Sequence, residues 1–140
     1  MQLTRQTDFA LRTMIYLAML PPGERVQIKT ICDIFDISSN HLSKVVNKLA
    51  NLGYIDSLRG RGGGICLGMS ADSINIGALV RITEPTLNPI NCLDPPCQLF
   101  SACRFKSVLA DASAAFMSTL DSYCLADMVT EDLQALKLIG

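Results

Sequence analysis

The stretch SSNHLSKVVNKLANLGYIDSLRGRGGGICL, residues 38–67, changes its period midway. Its first half repeats apolar side chains at Leu42, Val45, Val46 and Leu49, the i, i+3, i+4, i+7 spacing of one helix face. Ser38 precedes the pattern as an N-cap and Gly53 follows it as a stop. The second half contains two short runs, residues 54–58 and 64–67, that read as strands joined by the turn Arg59-Gly60-Arg61-Gly62-Gly63. Just upstream, Ile28, Ile31, Cys32 and Phe35 mark one face of a shorter helix, and Asp36-Ile37-Ser38 is the turn between the two helices. A helix-turn-helix followed at once by a glycine-rich hairpin predicts a winged helix-turn-helix, a mainly α fold with a small β wing.

The opposite face of the second helix carries Ser39, Asn40, Ser43, Lys44, Asn47 and Lys48. Short polar side chains at a helix N-terminus reach base edges, and lysines further along neutralise phosphates, so this is a candidate recognition helix. His41, the only histidine, sits on the same helix and is expected to face DNA or cap it. In the wing, glycines allow close backbone approach, and Arg59 and Arg61 suit the negative potential of a narrow minor groove. Charge placement agrees. Residues 1–64 carry a balance of +3 and residues 65–140 a balance of −4, although the chain as a whole is near neutral. The glycine run lacks the Lys-Ser/Thr ending of a nucleotide-binding P-loop.

Outward from this core, Phe9, Leu11, Met14, Ile15, Leu17 and Ala18 predict an amphipathic helix from Thr7 or Asp8 to Leu20, ended by Pro21-Pro22-Gly23. Asp8 falls in its first turn, where a carboxylate favours the helix dipole and Arg12 can pair with it. A further helix is expected over residues 73–82. Then comes Cys92-Leu-Asp-Pro-Pro-Cys97-Gln-Leu-Phe-Ser-Ala-Cys103, with three of the six cysteines on one loop. Thiolates are soft ligands for iron–sulfur clusters, zinc or copper(I), and three on one loop can converge. Their spacing matches neither zinc-ribbon nor thioredoxin-type C-x-x-C pairs, and a disulfide or simple burial is the plainer alternative. Three thiolates leave one coordination position to another group, which is where a small reactive molecule would attack; this points to a sensor.

After the loop, Phe105, Val108, Leu109, Ala112, Phe116, Thr119, Leu120 and Tyr123 form one stripe on a long helix. Such a helix beyond a winged domain calls for a partner, and a dimer would read two half-sites of a near-palindromic operator. Cys32, Cys66 and Cys124 are expected to be structural, and residues 125–140 to form a short turn and a tail. The expected organisation is a DNA-binding domain over residues 1–84, a cysteine loop over 85–103, and a dimerisation helix with tail over 104–140.

Composition narrows the function classes. Apolar residues make up 49% of 140, enough for one core, and no apolar run is long enough to span a membrane. The first residues show no cleavable leader pattern, so a cytoplasmic protein with reduced thiols is expected. A single histidine, no nucleophile beside a base and no evident carboxylate pair argue against an enzyme.

With the wing and the cysteine loop both in hand, the chain resembles the iron–sulfur winged-helix transcription regulators of the IscR and NsrR type, and among them the nitric-oxide-sensing branch. The resemblance rests on Met1-Gln2-Leu3-Thr4, Thr7-Asp8-Phe9-Ala10-Leu11-Arg12, residues 45–54, Arg59-Gly60-Arg61-Gly62-Gly63-Gly64 with Leu67-Gly68, the three loop cysteines, and Leu125-Ala126-Asp127. It implies a homodimeric repressor that holds a 4Fe–4S or 2Fe–2S cluster on Cys92, Cys97 and Cys103 and releases its operator when nitric oxide attacks the cluster. It also implies that Asp8 of the partner subunit supplies the fourth ligand. The histidine that follows the third cysteine in IscR-type members is absent, since Arg104, Phe105, Lys106 and Ser107 stand there. An iron–sulfur or iron-status regulator of the same fold, or a zinc-stabilised one indifferent to nitric oxide, is the alternative.

Overall fold

The computed structural model describes residues 2–136. Helix α1 (Arg5–Met19) starts earlier than its apolar pattern suggests, because Thr4 is its cap and accepts a hydrogen bond from the Thr7 N–H. Ala10, Met14 and Leu17 turn one face into the core, each at most 3% exposed. Helix α2 (Ile28–Phe35) ends where Asp36 takes a left-handed conformation, and Ile37 drops into the core beyond it. Ser38 then caps α3 (Ser39–Asn51) by accepting from the His41 N–H, and Leu42, Val45, Val46 and Leu49 are buried as the spacing requires. Each such side chain contributes about 1.5–3 kcal/mol by leaving water.

The wing is the antiparallel pair β1 (Ile55–Leu58) and β2 (Gly64–Leu67), in register Ile55 with Leu67 through Leu58 with Gly64. It is rooted on both sides. The Tyr54 N–H donates to the Leu49 carbonyl at the end of α3, and Val26 exchanges two backbone hydrogen bonds with Ile65. That third strand-like contact explains Gly64. Its φ is +138°, and a Cβ there would lie 2.7 Å from the Val26 carbonyl oxygen.

Helix α4 (Ile76–Thr83) begins later than residue 73, after a separate 3-10 turn over Ala71–Ser73. The reason is Asn75, whose side chain caps α4 by accepting from the Ala78 N–H and donates to the Asp121 carbonyl at the end of α5 (Arg104–Asp121). Gly77 lets α4 and α5 approach closely at this point: a Cβ would collide with the Asp121 carboxylate. Arg81 pairs with that carboxylate at 2.7 Å. Along α5 only Met117 is buried; Phe105, Val108 and Tyr123 of the expected stripe are 60%, 50% and 46% exposed. The chain then returns to the core through Leu125 in a 3-10 turn (Leu125–Met128), and α6 (Glu131–Ala135) occupies part of the expected tail. Residues 137–140 lie outside the described residues. Among the described residues no helix is long and apolar enough to cross a membrane.

Glu84, the residue that leaves α4, binds the start of α1. Its carboxylate accepts from the Thr7 hydroxyl at 2.5 Å and from the Thr4 N–H and hydroxyl, both at 3.1 Å. Burial pushes this carboxyl up, but the threonine hydrogen bonds outweigh it and the net shift is down. A carboxyl held below its unfolded value stabilises the fold above that unfolded value and loses the contribution as pH falls through the folded one. Urea midpoints measured against pH should therefore fall less steeply below about pH 4.3 in Glu84→Gln than in the parent. Parallel curves would remove the clamp from the account. Asp121 and Asp127, also shifted down, titrate in both proteins and cancel in the comparison.

Candidate nucleic-acid interface and cysteine loop

The polar face of α3 is presented to solvent. Ser39, Asn40, His41, Lys44 and Asn47 are exposed, and Ser43 and Lys48 half-buried. Beyond them the wing turn exposes Arg59 and Arg61, its shape set by the Gly63 N–H donating to the Gly60 carbonyl. Two residues that sequence reasoning missed brace this turn from the segment before α2. The Gln27 amide donates to the Gly63 carbonyl at 2.8 Å, and Arg25 donates to the Asp56 and Gly64 carbonyls and pairs with the Asp56 carboxylate. Nothing local marks them, because each finds its partner across a gap of more than thirty residues.

The charge on this face is unneutralised. Among the described residues the ion pairs engage Arg12, Arg25, Lys29 and Arg81, and none engages Lys44, Lys48, Arg59 or Arg61. Free cations along the exposed face of a recognition helix and at a hairpin tip are what phosphate neutralisation uses. Arg61→Ala should weaken duplex binding and lower the salt slope by roughly 0.9 per lost contact. A slope unchanged from the parent would mean that the wing tip stays off the phosphates.

The cysteine loop is ordered by its own backbone. The Cys97 N–H donates to the Cys92 carbonyl at 3.0 Å, and Asn91 accepts from the Leu93 and Asp94 N–H groups to start that turn. The Phe100 N–H reaches the Cys97 carbonyl, and Cys103 stands at the N-cap of α5. Two contacts fasten the loop to α5: the Ser113 hydroxyl donates to the Leu87 carbonyl, and the Lys106 ammonium lies 3.6 Å above the Phe100 ring. Leu93 and Leu99 project into solvent at 72% and 68% exposure.

All six cysteines are free thiols in this structure. Cys97 is exposed and Cys92 and Cys103 half-buried, whereas Cys32 and Cys66 are buried in the winged domain as expected. Burial pushes the Cys32 thiol up, away from the reactive thiolate. Cys124 starts the 3-10 turn, its N–H donating to the Asp127 carboxylate at 2.8 Å. Asp8 lies in the first turn of α1 and pairs with Arg12 at 2.8 Å. Among the described residues no three His, Cys, Asp or Glu side chains are assembled to hold a metal ion. The loop thus offers three soft donors, whose chemistry fits an iron–sulfur cluster.

A family model described as Rrf2, iron-dependent transcriptional regulator, matches residues 3–131. Among solved structures, the global cysteine regulator CymR of B. subtilis superposes with a TM-score of 0.71 at 25% identity, over 93% of this chain and 99% of that one. The oxidized form of Staphylococcus aureus CymR gives 0.72 at 27% identity, over 90% and 94%. T. potens IscR gives 0.76 at 24% identity, over 96% and 90%, a likeness of fold. The winged-helix reading of residues 38–67 agrees with all of them.

Proposed function

Since the chain belongs to the Rrf2 family of transcriptional regulators, we propose that it is a homodimeric DNA-binding repressor that carries an iron–sulfur cluster and gives up its operator in response to nitric oxide. Residues 1–84 bind DNA, residues 85–103 hold the cluster, and residues 104–140 form the dimer. The observation that carries the reading is the conjunction of an unneutralised basic face on α3 and the wing with three free thiols on the loop leading into α5.

Ser39, Asn40, His41, Ser43 and Asn47 address base edges, while Lys44, Lys48, Arg59 and Arg61 neutralise phosphates. Cys92, Cys97 and Cys103 would hold the cluster, with Asp8 of the partner subunit as the fourth ligand. When bound, the cluster supplies iron, to which nitric oxide is reactive. The remaining steps belong to the chain. Asp8, paired with Arg12 at 2.8 Å, would leave that pairing to serve as a ligand. Glu84, which joins the start of the loop to Thr4 and Thr7, relays the position of the loop to α1. The exposed apolar face of α5 packs on its twin and sets the separation of the two recognition helices.

Protein purified without oxygen should bind an operator duplex tightly and release it on stoichiometric addition of nitric oxide, followed by fluorescence anisotropy. Binding that persists through the titration would refute the nitric-oxide reading and favour an iron-status or zinc-stabilised regulator. Asp8→Ala should keep a cluster whose visible spectrum and nitric-oxide reaction rate differ from the parent's. Parental spectrum and rate would confine Asp8 to its pairing with Arg12 and the helix dipole.

A further inference from the structure

Between the first turn of α1 and the middle of α3 the surface opens into a notch of about 410 Å3, lined by Arg5, Gln6, Phe9, His41, Lys44 and Val45. Its floor is apolar. Val45 is buried, Phe9 is half-buried, and the His41 ring lies 6.5 Å from the Phe9 ring, tilted by 33°. Its rim is cationic. Arg5 and Lys44 are both exposed, and neither takes part in an ion pair among the described residues. No carboxylate lines the notch, and Asp8, within one turn of Arg5, is occupied by Arg12. Gln6 adds an amide donor.

Two unopposed cations and an amide around a small apolar floor suit a phosphodiester: the cations meet the phosphate oxygens and the floor packs against the sugar. Lys44 belongs to the recognition helix, so the notch borders the place where a duplex backbone would run past the groove that α3 enters. We propose that Arg5 is a further phosphate-contacting residue, and that the DNA interface extends beyond the helix-turn-helix and wing onto α1. The assignment rests on the DNA-binding reading above. It makes α1 a carrier of both a DNA contact and the proposed ligand Asp8, so a change in the pairing of Asp8 occurs within one helical turn of Arg5.

The test compares parent, Arg5→Ala and Arg5→Lys dimers binding an operator duplex and a scrambled duplex of equal length, between about 50 and 200 mM salt. Arg5→Ala, losing one contact per protomer, should lower the slope of log K against log salt by about 1.8 and weaken both duplexes by the same factor. Arg5→Lys should restore most of the slope. A parental slope in Arg5→Ala overturns the assignment, as does a loss confined to the operator, which would indicate base reading. Should the parent itself bind neither duplex in a salt-dependent way, the DNA-binding reading fails with it. Circular dichroism establishes that both variants are folded.

Discussion

Cys92→Ala is expected to lose the cluster and to weaken operator binding about 100-fold in the same step. The magnitude follows from population arithmetic: a DNA-competent arrangement populated at about 1% without the cluster lowers apparent affinity by that fraction. The substitution is a clean probe because the local turn depends on main-chain atoms. The Cys92 carbonyl accepts from the Cys97 N–H, and Asn91 holds the preceding turn, so alanine preserves the loop backbone while removing one thiolate. Iron content and visible absorption report the cluster, and anisotropy reports binding. Cluster-free Cys92→Ala that grips the operator like the parent would sever sensing from DNA binding.

Leu125→Ala is expected to cost about 2–5 kcal/mol of stability, a large share of the roughly 5–15 kcal/mol of a typical domain. Leu125 is fully buried among core residues, and the segment around it is stitched to the winged domain: its N–H donates to the Ile74 carbonyl at 2.8 Å, and the Ile76 N–H donates to the Tyr123 carbonyl at 3.0 Å. The cavity left by truncation would open beneath α1 and the Ala71–Ser73 turn, the elements that pack on the Leu125–Met128 turn. Urea midpoints must be compared at equal protomer concentration, since dimerisation adds to apparent stability. An unchanged midpoint would mean that this segment does not dock in solution.

Leu125 also marks where local sequence signals run out. Periodicity placed α2, α3 and the wing nearly to the residue, because Leu42, Val45, Val46 and Leu49 bury together and Ser38 and Gly53 bound them. The same reasoning left residues 125–140 as a turn and tail, since one leucine after a long helix has no period to announce its burial, and the α6 helix is too short to show one. Cap chemistry moved other boundaries. Thr4 begins α1 and Asn75 begins α4, each ahead of or behind the apolar pattern because a side chain satisfies the first free N–H groups. The wing braces Arg25 and Gln27 and the Glu84 clamp were invisible for a different reason: they join residues far apart in the chain. The basic residues of α3 and the wing were legible from type and spacing, and their freedom from carboxylate partners is what the fold adds. The cysteine triplet was legible as a donor set, whereas among the described residues the fold does not gather it around a metal position.

The central claim is that a dimer of this chain carries an iron–sulfur cluster on Cys92, Cys97 and Cys103. Native mass spectrometry of protein purified without oxygen measures subunit count and bound mass together. The account predicts a dimer carrying the mass of iron–sulfur clusters, lost in Cys92→Ala. A dimer that carries zinc, or no inorganic mass at all, would contradict it.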